Sequence, residues 1–256
     1  MTPSSDEKNM VLGIIPARYD SSRLPGKLLK TINEKPILWW VYHKAVQCQQ
    51  IDRVLVATDD ERIASTCETF NMPYEWTSRE HTNGTDRCAE VASRHEQYQW
   101  VINIQGDEPF IIPGEIDSIL SGMQSRDVPI ATAATPILST EELIDPSKVK
   151  VILNARSEAI YFSRQAIPYV QGKPSDKWLE HHAYLRHIGL YAFKRDIILK
   201  VSRWSSPAIQ LAESLEQLKW LYEGIPIFVN VGDYHGRGID TADDLEWARS
   251  QSHLLI

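Results

Sequence analysis

Short apolar runs alternate with longer segments of helical periodicity over the first half of the chain. Four runs have the length and the branched side chains of buried strands: Met10–Ile15, Val54–Ala57, Trp100–Ile104 and Ile130–Ala134. The segments between them predict helices over Pro36–Gln47, Glu61–Phe70, Asp86–His95 and Pro113–Met123. Strands that alternate with helices of this length need right-handed crossovers. The pattern therefore predicts an α/β fold, a mostly parallel sheet with helices on both faces.

The alternation changes after Pro136. Val149–Leu153 and Ala159–Ser163 look like consecutive strands with no helix between them, which predicts a hairpin in an inserted subdomain. A flexible loop over Pro168–Glu180 and a strand over His187–Ala192 that rejoins the main sheet follow. Two predicted helices come next, of which the second covers Glu213–Tyr222 and ends at Gly224. A strand over Ile227–Val231 and a helix that begins at Thr241 complete the predicted elements. We predict a disordered tail (1–9), an α/β core (10–136), an inserted β-rich subdomain (137–183) and a return to the core (184–256).

Composition narrows the class of protein. The 256 residues are 43% hydrophobic and carry a net charge of -7, which argues against extended contacts with nucleic acid or an anionic membrane. The first nine residues do not resemble a signal peptide and no apolar run has membrane-spanning length, so we predict a cytoplasmic protein. The three cysteines fall in predicted helices without CxxC spacing, which favours structural roles over zinc or disulfides.

Three cations follow the first predicted strand in one loop. Arg18, Arg23 and Lys27 lie just beyond the carboxyl end of that strand, where open α/β sheets bind ligands. Guanidinium and ammonium groups at such a place suit a polyphosphate. The loop is not a Walker A motif, since Ser21 and Leu28 stand where that motif needs Gly and Ser or Thr. A solvated basic turn is the alternative.

Two carboxylates are candidates for binding Mg²⁺. Asp107 follows the strand that ends at Ile104, so its side chain should reach the same crevice as the basic loop. Asp240 is the second candidate, although it or Thr241 could simply cap the last helix. Two carboxylates and a triphosphate would position a metal for attack at phosphorus.

Other polar residues suggest contacts to a nucleotide and to a sugar acid. Asn83 and Gly84 precede a predicted helix, whose first amides could meet a nucleotide or merely begin the helix. Polar groups in otherwise apolar surroundings could bind a carboxylate and hydroxyls, or be structural. They are Arg164, Arg186, His187, Glu216 and Gln217.

The order of motifs resembles the CMP-Kdo synthetase (3-deoxy-manno-octulosonate cytidylyltransferase) family from Val11 to Arg249. The motifs are IIPARYDSSRLPGK, HTNGTDR, INIQGDEP, VKVILN with IYFSRQAIPY, LRHIGLYAF, SLEQLKWL and GRGIDTADDLEWAR. The first motif is shared by many sugar nucleotidyltransferases. YFSR, RHIGLY and LEQL are more specific to this family.

The resemblance implies a Rossmann-like nucleotidyltransferase fold and a reaction in which CTP and Kdo give CMP-Kdo and pyrophosphate with Mg²⁺, for lipopolysaccharide synthesis. It implies catalytic roles for Lys27, Asp107 and Asp240, with the two aspartates as metal ligands. The implied nucleotide contacts are Ala17, Arg18, Arg23, Lys27, Asn83, Gly84 and Gln105. The implied sugar contacts are Arg164, His187, Tyr191, Glu216 and Gln217. A homodimer formed through the inserted subdomain is also implied.

The chain departs from the family pattern at two positions. Asn83 stands where the family usually has Ser in HxSGT, and Leu28 replaces the usual proline after Gly26-Lys27. The sister activity on 8-amino-Kdo would share every motif and stays open. A glycosyltransferase would normally carry Asp-x-Asp, which is absent from this sequence, and a non-catalytic nucleotide-binding homologue would be expected to lose Lys27, Asp107 or Asp240.

Overall fold

The computed structural model describes residues 10–21 and 23–255, so the predicted tail over residues 1–9 lies outside the described part. The chain forms two compact units. Among the described residues, unit 1 comprises 10–21, 23–117, 192–202 and 235–255, and unit 2 comprises 118–191 and 203–234. The predicted subdomain 137–183 falls within unit 2, while the four-part division of the sequence stays a prediction.

The elements follow in chain order. They are β1 (Val11–Ala17), β2 (Thr31–Ile32), β3 (Lys35–Pro36), α1 (Ile37–Ala45), β4 (Arg53–Thr58), α2 (Glu61–Thr69), β5 (Tyr74–Trp76), α3 (Gly84–Ser93), β6 (Trp100–Asn103), α4 (Pro113–Arg126), β7 (Ile130–Pro136), α5 (Thr140–Ile144), β8 (Lys150–Leu153), β9 (Ala159–Ser163), β10 (Leu185–Lys194), α6 (Arg195–Val201), α7 (Ala208–Glu213), α8 (Gln217–Tyr222), β11 (Ile227–Val231) and α9 (Ala242–Ser250). Turns of 3-10 helix occur at Lys27–Leu29, Ser175–Glu180 and Ser252–Leu254.

The strands of unit 1 form a parallel arrangement in the order β6-β1-β4-β5. β1 lies between its neighbours, with Ile14 opposite Leu55 on one side and Asn103 on the other. Its apolar side chains are almost entirely buried because parallel strands are covered on both faces. This arrangement confirms the α/β prediction and brings the ends of β1, β4 and β6 to one edge.

Side-chain caps begin three helices of unit 1. Asp60 accepts a hydrogen bond from the backbone N–H of Arg62 at the start of α2, and Asn83 caps α3. Thr241 caps α9 in a capping box with Asp244. Asn83 and Thr85 are both residue types that can cap a helix, and Asn83 is the one that caps α3.

Unit 2 contains parallel and antiparallel pairs. β11 pairs with β7 in parallel, and β7 neighbours β10. β8 and β9 pair antiparallel, with Val151 opposite Phe162, which confirms the predicted hairpin. β8 also pairs antiparallel with β10.

The predicted helix over Glu213–Tyr222 was wrong in its first half. α7 ends at Glu213, and Ser214 adopts the left-handed conformation with φ of 51°, so α8 begins only at Gln217. Gly224 also has positive φ, 79°, and ends this segment as predicted. The short helix α5, capped by Ser139, was not predicted. The predicted loop over Pro168–Glu180 includes the second 3-10 turn, whose Trp178 packs against a core of Ile137, Leu143 and Tyr184.

All three cysteines are buried free thiols. Cys67 lies in α2 and Cys88 in α3, but Cys48 follows the end of α1 and so falls outside a helix. Burial raises the pKa of Cys48 and of Cys67 to about 12. Within residues 10–21 and 23–255, no helix is long and apolar enough to cross a membrane.

Candidate functional site

Unit 1 brings together the three residues predicted to be catalytic. Gly26 adopts φ of 64° and turns the chain into the 3-10 helix that carries Lys27. The Lys27 ammonium donates to Asp107, which follows β6, and to Oδ1 of Asp240 at 3.0 Å. Nη2 of Arg23 lies 3.0 Å from the same Asp240 oxygen. One ammonium therefore joins two carboxylates that are 133 residues apart in the chain (240 minus 107).

The charge of Lys27 is stabilised by these neighbours. Its side chain is only 12% exposed, and burial alone would lower the pKa. The charges and hydrogen bonds of Asp107 and Asp240 outweigh burial, so the pKa of Lys27 is raised above its ordinary value. The lysine therefore remains cationic at neutral pH.

The two carboxylates fit a magnesium ion that is completed by a substrate. Their side chains are 28% and 44% exposed, and both already accept a cationic partner in Lys27. Over residues 10–21 and 23–255, no cluster of three or more His, Cys, Asp or Glu side chains could hold a metal by itself. Mg²⁺ commonly takes one or two carboxylates together with substrate phosphates, so this donor set is sufficient.

A pocket in unit 1 contains most of the predicted nucleotide contacts. The predicted residues that line it are Arg18, Lys27, Asn83, Gly84, Gln105 and Asp107. The other two predicted contacts are not among the lining residues: Ala17 is the last residue of β1, and Arg23 forms an ion pair with Asp240. The other lining residues are Pro16, Asp20, Ser21, Leu28, His81, Thr82, Arg87 and Gly106.

Asn83 and Gly84 form the pocket wall at the start of α3. Both ends of the Asn83 amide contact Asp86: Oδ1 accepts from the backbone N–H at 2.8 Å, and Nδ2 donates to Oδ2 at 2.7 Å. Any Cβ on Gly84 would lie 3.2 Å from Cγ of Pro16 in β1, so glycine permits the close approach of helix and strand. Asn83 thus caps the end of α3 that lines the pocket.

Three lining residues, His81, Thr82 and Arg87, were missed although they belong to the HTNGTDR motif. Nε2 of His81 lies 2.6 Å from the Glu90 carboxylate. The Arg87 side chain is 4% exposed, donates to the Thr77 hydroxyl and lies 3.2 Å from Asp59. A cation on the buried face of an amphipathic helix was the available signal, because such a charge needs a partner or a ligand.

The predicted sugar contacts lie in unit 2. Arg164 directly follows β9, and three of its guanidinium N–H groups donate to backbone carbonyls. Its Nε donates to Glu213 at 2.7 Å, Nη1 to Pro146 at 3.0 Å and Nη2 to Ser214 at 3.3 Å. A guanidinium has five N–H donors, so two are left for a carboxylate. Arg164 therefore has a structural role beside any role in binding.

His187 is held as a neutral ring with a defined tautomer. The pKa of His187 is lowered to about 3 by burial. Its Nε2 lies 3.0 Å from Oγ1 of Thr132, and that hydroxyl lies 2.7 Å from the carbonyl of Leu190. Because the hydroxyl has one hydrogen and gives it to a carbonyl, it must accept from Nε2–H. Nδ1 of His187 is therefore a hydrogen-bond acceptor.

Tyr191 packs beside His187, with ring centroids 5.3 Å apart, and edge-on to Trp220 at 4.9 Å. Burial, and then the charge of Glu216, raise the pKa of Tyr191 well above its ordinary value, so the phenol is neutral. Glu216 is half-buried directly before α8, and Gln217 is buried as its first residue.

Comparison with known proteins is consistent with this geometry. A family model described as Cytidylyltransferase matches residues 12–227. The 3-deoxy-manno-octulosonate cytidylyltransferase of Parabacteroides distasonis is 43% identical, over 93% of this chain and 96% of that protein. The protein of the same name from Cytophaga hutchinsonii is 44% identical, over 92% and 94% respectively.

Solved structures agree. A CMP:2-keto-3-deoxy-manno-octonic acid synthetase complexed with CTP superposes with a TM-score of 0.89 at 39% identity, covering 96% of this chain and all of that one. A 4-diphosphocytidyl-2C-methyl-D-erythritol synthase from Anaerococcus prevotii, at 15% identity and a TM-score of 0.62, has the same fold. The predicted nucleotidyltransferase fold is confirmed. The chain belongs to the 3-deoxy-manno-octulosonate cytidylyltransferase family.

Proposed function

We propose that this protein transfers a cytidylyl group from CTP to 3-deoxy-D-manno-octulosonate (Kdo) and releases pyrophosphate. The observation that carries the proposal is the Lys27 ammonium held by Asp107 and Asp240 at the edge of the unit 1 pocket. Relatives that are about 40% identical over almost the whole chain are named 3-deoxy-manno-octulosonate cytidylyltransferases, which supports the choice of substrates.

The proposed reaction forms one bond to phosphorus and breaks another. The anomeric 2-hydroxyl oxygen of Kdo attacks the α-phosphorus of CTP in line, and the bond from that phosphorus to the bridging oxygen of pyrophosphate breaks. The hydroxyl proton passes to solvent, and pyrophosphate leaves with the electron pair of the broken bond. Arg18, Arg23 and Lys27 would neutralise the charge that accumulates on this leaving group.

Asp107 and Asp240 are the residues that would hold Mg²⁺, which would lower the charge of the triphosphate and the pKa of the attacking hydroxyl. The protein itself supplies the binding and orientation of the nucleotide. Gln105 and the amides at Asn83 and Gly84 are proposed to contact cytosine and ribose, because all three line the pocket.

The sugar acid is proposed to bind to the polar residues of unit 2. The two remaining N–H groups of Arg164 suit its carboxylate. Nδ1 of the neutral His187 can accept a hydrogen bond from a sugar hydroxyl, and the phenol of Tyr191 can donate one. Glu216 and Gln217 add acceptors and an amide donor for further hydroxyls.

We also propose the cellular setting that this chemistry suits. CMP-Kdo is an activated sugar for lipopolysaccharide assembly, and a CTP-dependent step places the enzyme in the cytoplasm. A homodimer formed through segment 137–183 is supported by four apolar side chains of that segment that are more than half exposed: Leu138, Ile144, Ile160 and Tyr169.

The proposal is tested by measuring pyrophosphate release with Mg²⁺. CTP and UTP are each offered with Kdo, with 8-amino-3,8-dideoxy-manno-octulosonate and with a hexose phosphate. We expect release with CTP and Kdo. Release with the 8-amino sugar alone would keep the mechanism and change the substrate. No release from any pair would contradict the enzyme assignment and favour a nucleotide-binding role without catalysis.

A further inference from the structure

Asp60, which follows β4, makes more contacts than a helix cap needs. Asp60 caps α2 through the backbone N–H of Arg62, and it also binds the side chain of that arginine. Nε of Arg62 donates to Oδ1 of Asp60 at 2.9 Å and Nη2 to Oδ2 at 2.6 Å. This two-point contact fixes the guanidinium plane at the edge of α2, although the arginine side chain is 56% exposed.

The fixed guanidinium lies on the ring of Tyr19 in the basic loop. Cζ of Arg62 is 3.2 Å from the ring centroid, which is stacking contact. The same ring lies against Gly26, where a Cβ would come within 3.1 Å of the Tyr19 Cζ. The Gly26 N–H also donates to the carbonyl of Tyr19 at 3.3 Å. Tyr19 therefore contacts α2 and the far end of its own loop.

The neighbours of these two loop residues are the proposed phosphate-binding cations. Arg18 precedes Tyr19, and Lys27 follows Gly26. Both cations line the unit 1 pocket, as does Asp20 on the other side of Tyr19. The two ends of the loop are joined by the contacts between Tyr19 and Gly26, and the ring of Tyr19 is in turn stacked against Arg62.

We propose that Arg62 is a positioning residue, which stacks on Tyr19 and thereby presets Arg18 and Lys27 to receive the triphosphate of a nucleotide. The proposal rests on the proposed function for the identity of the ligand, but not for the order of the loop. A helix cap alone needs only the Asp60 carboxylate and the backbone N–H of Arg62. The side-chain contact and the stacked ring are accounted for by the positioning role.

The test compares variants that remove the stack with variants that keep its parts. Arg62→Gln and Tyr19→Leu remove the cation and the ring, while Tyr19→Phe keeps the ring without its hydroxyl. Arg126→Gln is the matched control, because Arg126 lies over an aromatic ring in the same way, 4.7 Å from the Phe228 centroid, but that ring is in β11 of unit 2. All variants are examined as full chains.

The first readout is hydrogen exchange of the Gly26 amide in protein without nucleotide. We expect exchange to become about two- to fivefold faster in Arg62→Gln and Tyr19→Leu, as the loss of an exposed cation–π contact implies, and to be unchanged in Tyr19→Phe and Arg126→Gln. The second readout is the Kd for CTP with Mg²⁺, which should rise about two- to fivefold in the first two variants, as an exposed cation–π contact implies. The double variant Arg62→Gln with Tyr19→Leu should have the same Kd as whichever single variant binds CTP less tightly, because both substitutions remove the same stacking contact.

The outcomes separate this inference from the proposed function. Wild-type exchange at Gly26 in Arg62→Gln would overturn the positioning role whether or not CTP binds. Faster exchange with an unchanged Kd for CTP would overturn the link to the triphosphate. If wild-type protein does not bind CTP, the proposed function fails, and the exchange data still decide whether Arg62 orders the loop.

Discussion

Lys27 is the single side chain that joins both carboxylates proposed to bind metal. It donates to Asp107 and Asp240, and the charges and hydrogen bonds of these two residues raise its pKa against the effect of burial. We predict that Asp107→Asn leaves the fold intact and lowers kcat by about 100-fold or more, because an amide cannot supply the negative ligand that Mg²⁺ needs. Pyrophosphate release measures the loss, and circular dichroism with the Tm checks the fold.

Asp243→Asn is the matched control for this change. Asp243 is an exposed carboxylate three residues after Asp240, in the first turn of α9. Its kcat should equal that of the wild type. Turnover retained by Asp107→Asn would mean that other residues hold the metal.

His187 should give the folded protein a distinct dependence on pH. Burial lowers its pKa from 6.5 to about 3, so the unfolded chain binds the proton more readily between these values. The contribution of His187 to the free energy of unfolding is complete above pH 6.5. It is lost as the pH falls toward 3, by up to about 1.4 kcal/mol per pH unit. We predict that the free energy of unfolding of His187→Gln falls less steeply below pH 6.5 than that of the wild type. Urea unfolding at pH 7.5, 6 and 5 measures the difference, and parallel curves would show that the ring is not kept neutral by folding.

The hydrogen-bond partners of single side chains could not be predicted from the sequence. Arg164 is the last residue of the YFSR motif and was predicted to bind a sugar acid, yet its carbonyl partners come from Pro146, Glu213 and Ser214. Nothing local to β9 reveals such partners, because they are brought together by the tertiary fold. Asn83 was predicted from its motif, whereas its paired contact with Asp86 depends on the side-chain rotamer.

The capping box of α9 also contacts the backbone of Asp240, a candidate metal ligand. Oδ2 of Asp244 accepts from the backbone N–H groups of Asp240 at 3.2 Å and Thr241 at 3.0 Å. We predict that Asp244→Ala lowers the free energy of unfolding by about 1 kcal/mol, as the loss of a helix cap does, and also lowers kcat. Urea unfolding and pyrophosphate release measure the two effects.

A second cap serves as the control for this prediction. Ser139 caps α5 in unit 2 by accepting from the backbone N–H of Glu142 at 3.2 Å. Ser139→Ala should cost a similar free energy of unfolding without a change in kcat. If Asp244→Ala loses stability but keeps full kcat, the capping box does not position Asp240.

Elements with a clear period were predicted correctly, and irregular ones were not. β1, β4, β6 and β7 are apolar runs between turn residues, and the structure confirms all four. The break at Ser214 was missed because the helical pattern of the sequence continues through it. A positive φ is usually indicated by glycine or asparagine, and this position holds serine. The helix α5 has only five residues, which is too short for a periodic signal.

At the scale of the whole molecule, the exposed apolar side chains of segment 137–183 bear on assembly. Leu138 is 86% exposed and Ile160 58%. We predict a dimer in solution that Ile160→Asp or Leu138→Asp converts to a monomer, because a buried charge without a partner is costly. Light scattering after size-exclusion chromatography measures the mass.

Leu254→Asp is the control for assembly. Leu254 is 56% exposed in unit 1, outside the segment, so this variant should keep the mass of the wild type. A monomeric wild-type protein at micromolar concentration would contradict the proposed dimer.

The buried thiols have a practical consequence. Cys48 and Cys67 ionise only near pH 12, and Cys88 is equally enclosed, so maleimides at pH 7 should react slowly with all three. A cysteine introduced at an exposed position would then carry a fluorophore or spin label by itself, with the native cysteines left in place. The chain thus offers a chemically silent background in which the separation of two chosen surface points can be followed by spectroscopy as substrates are added.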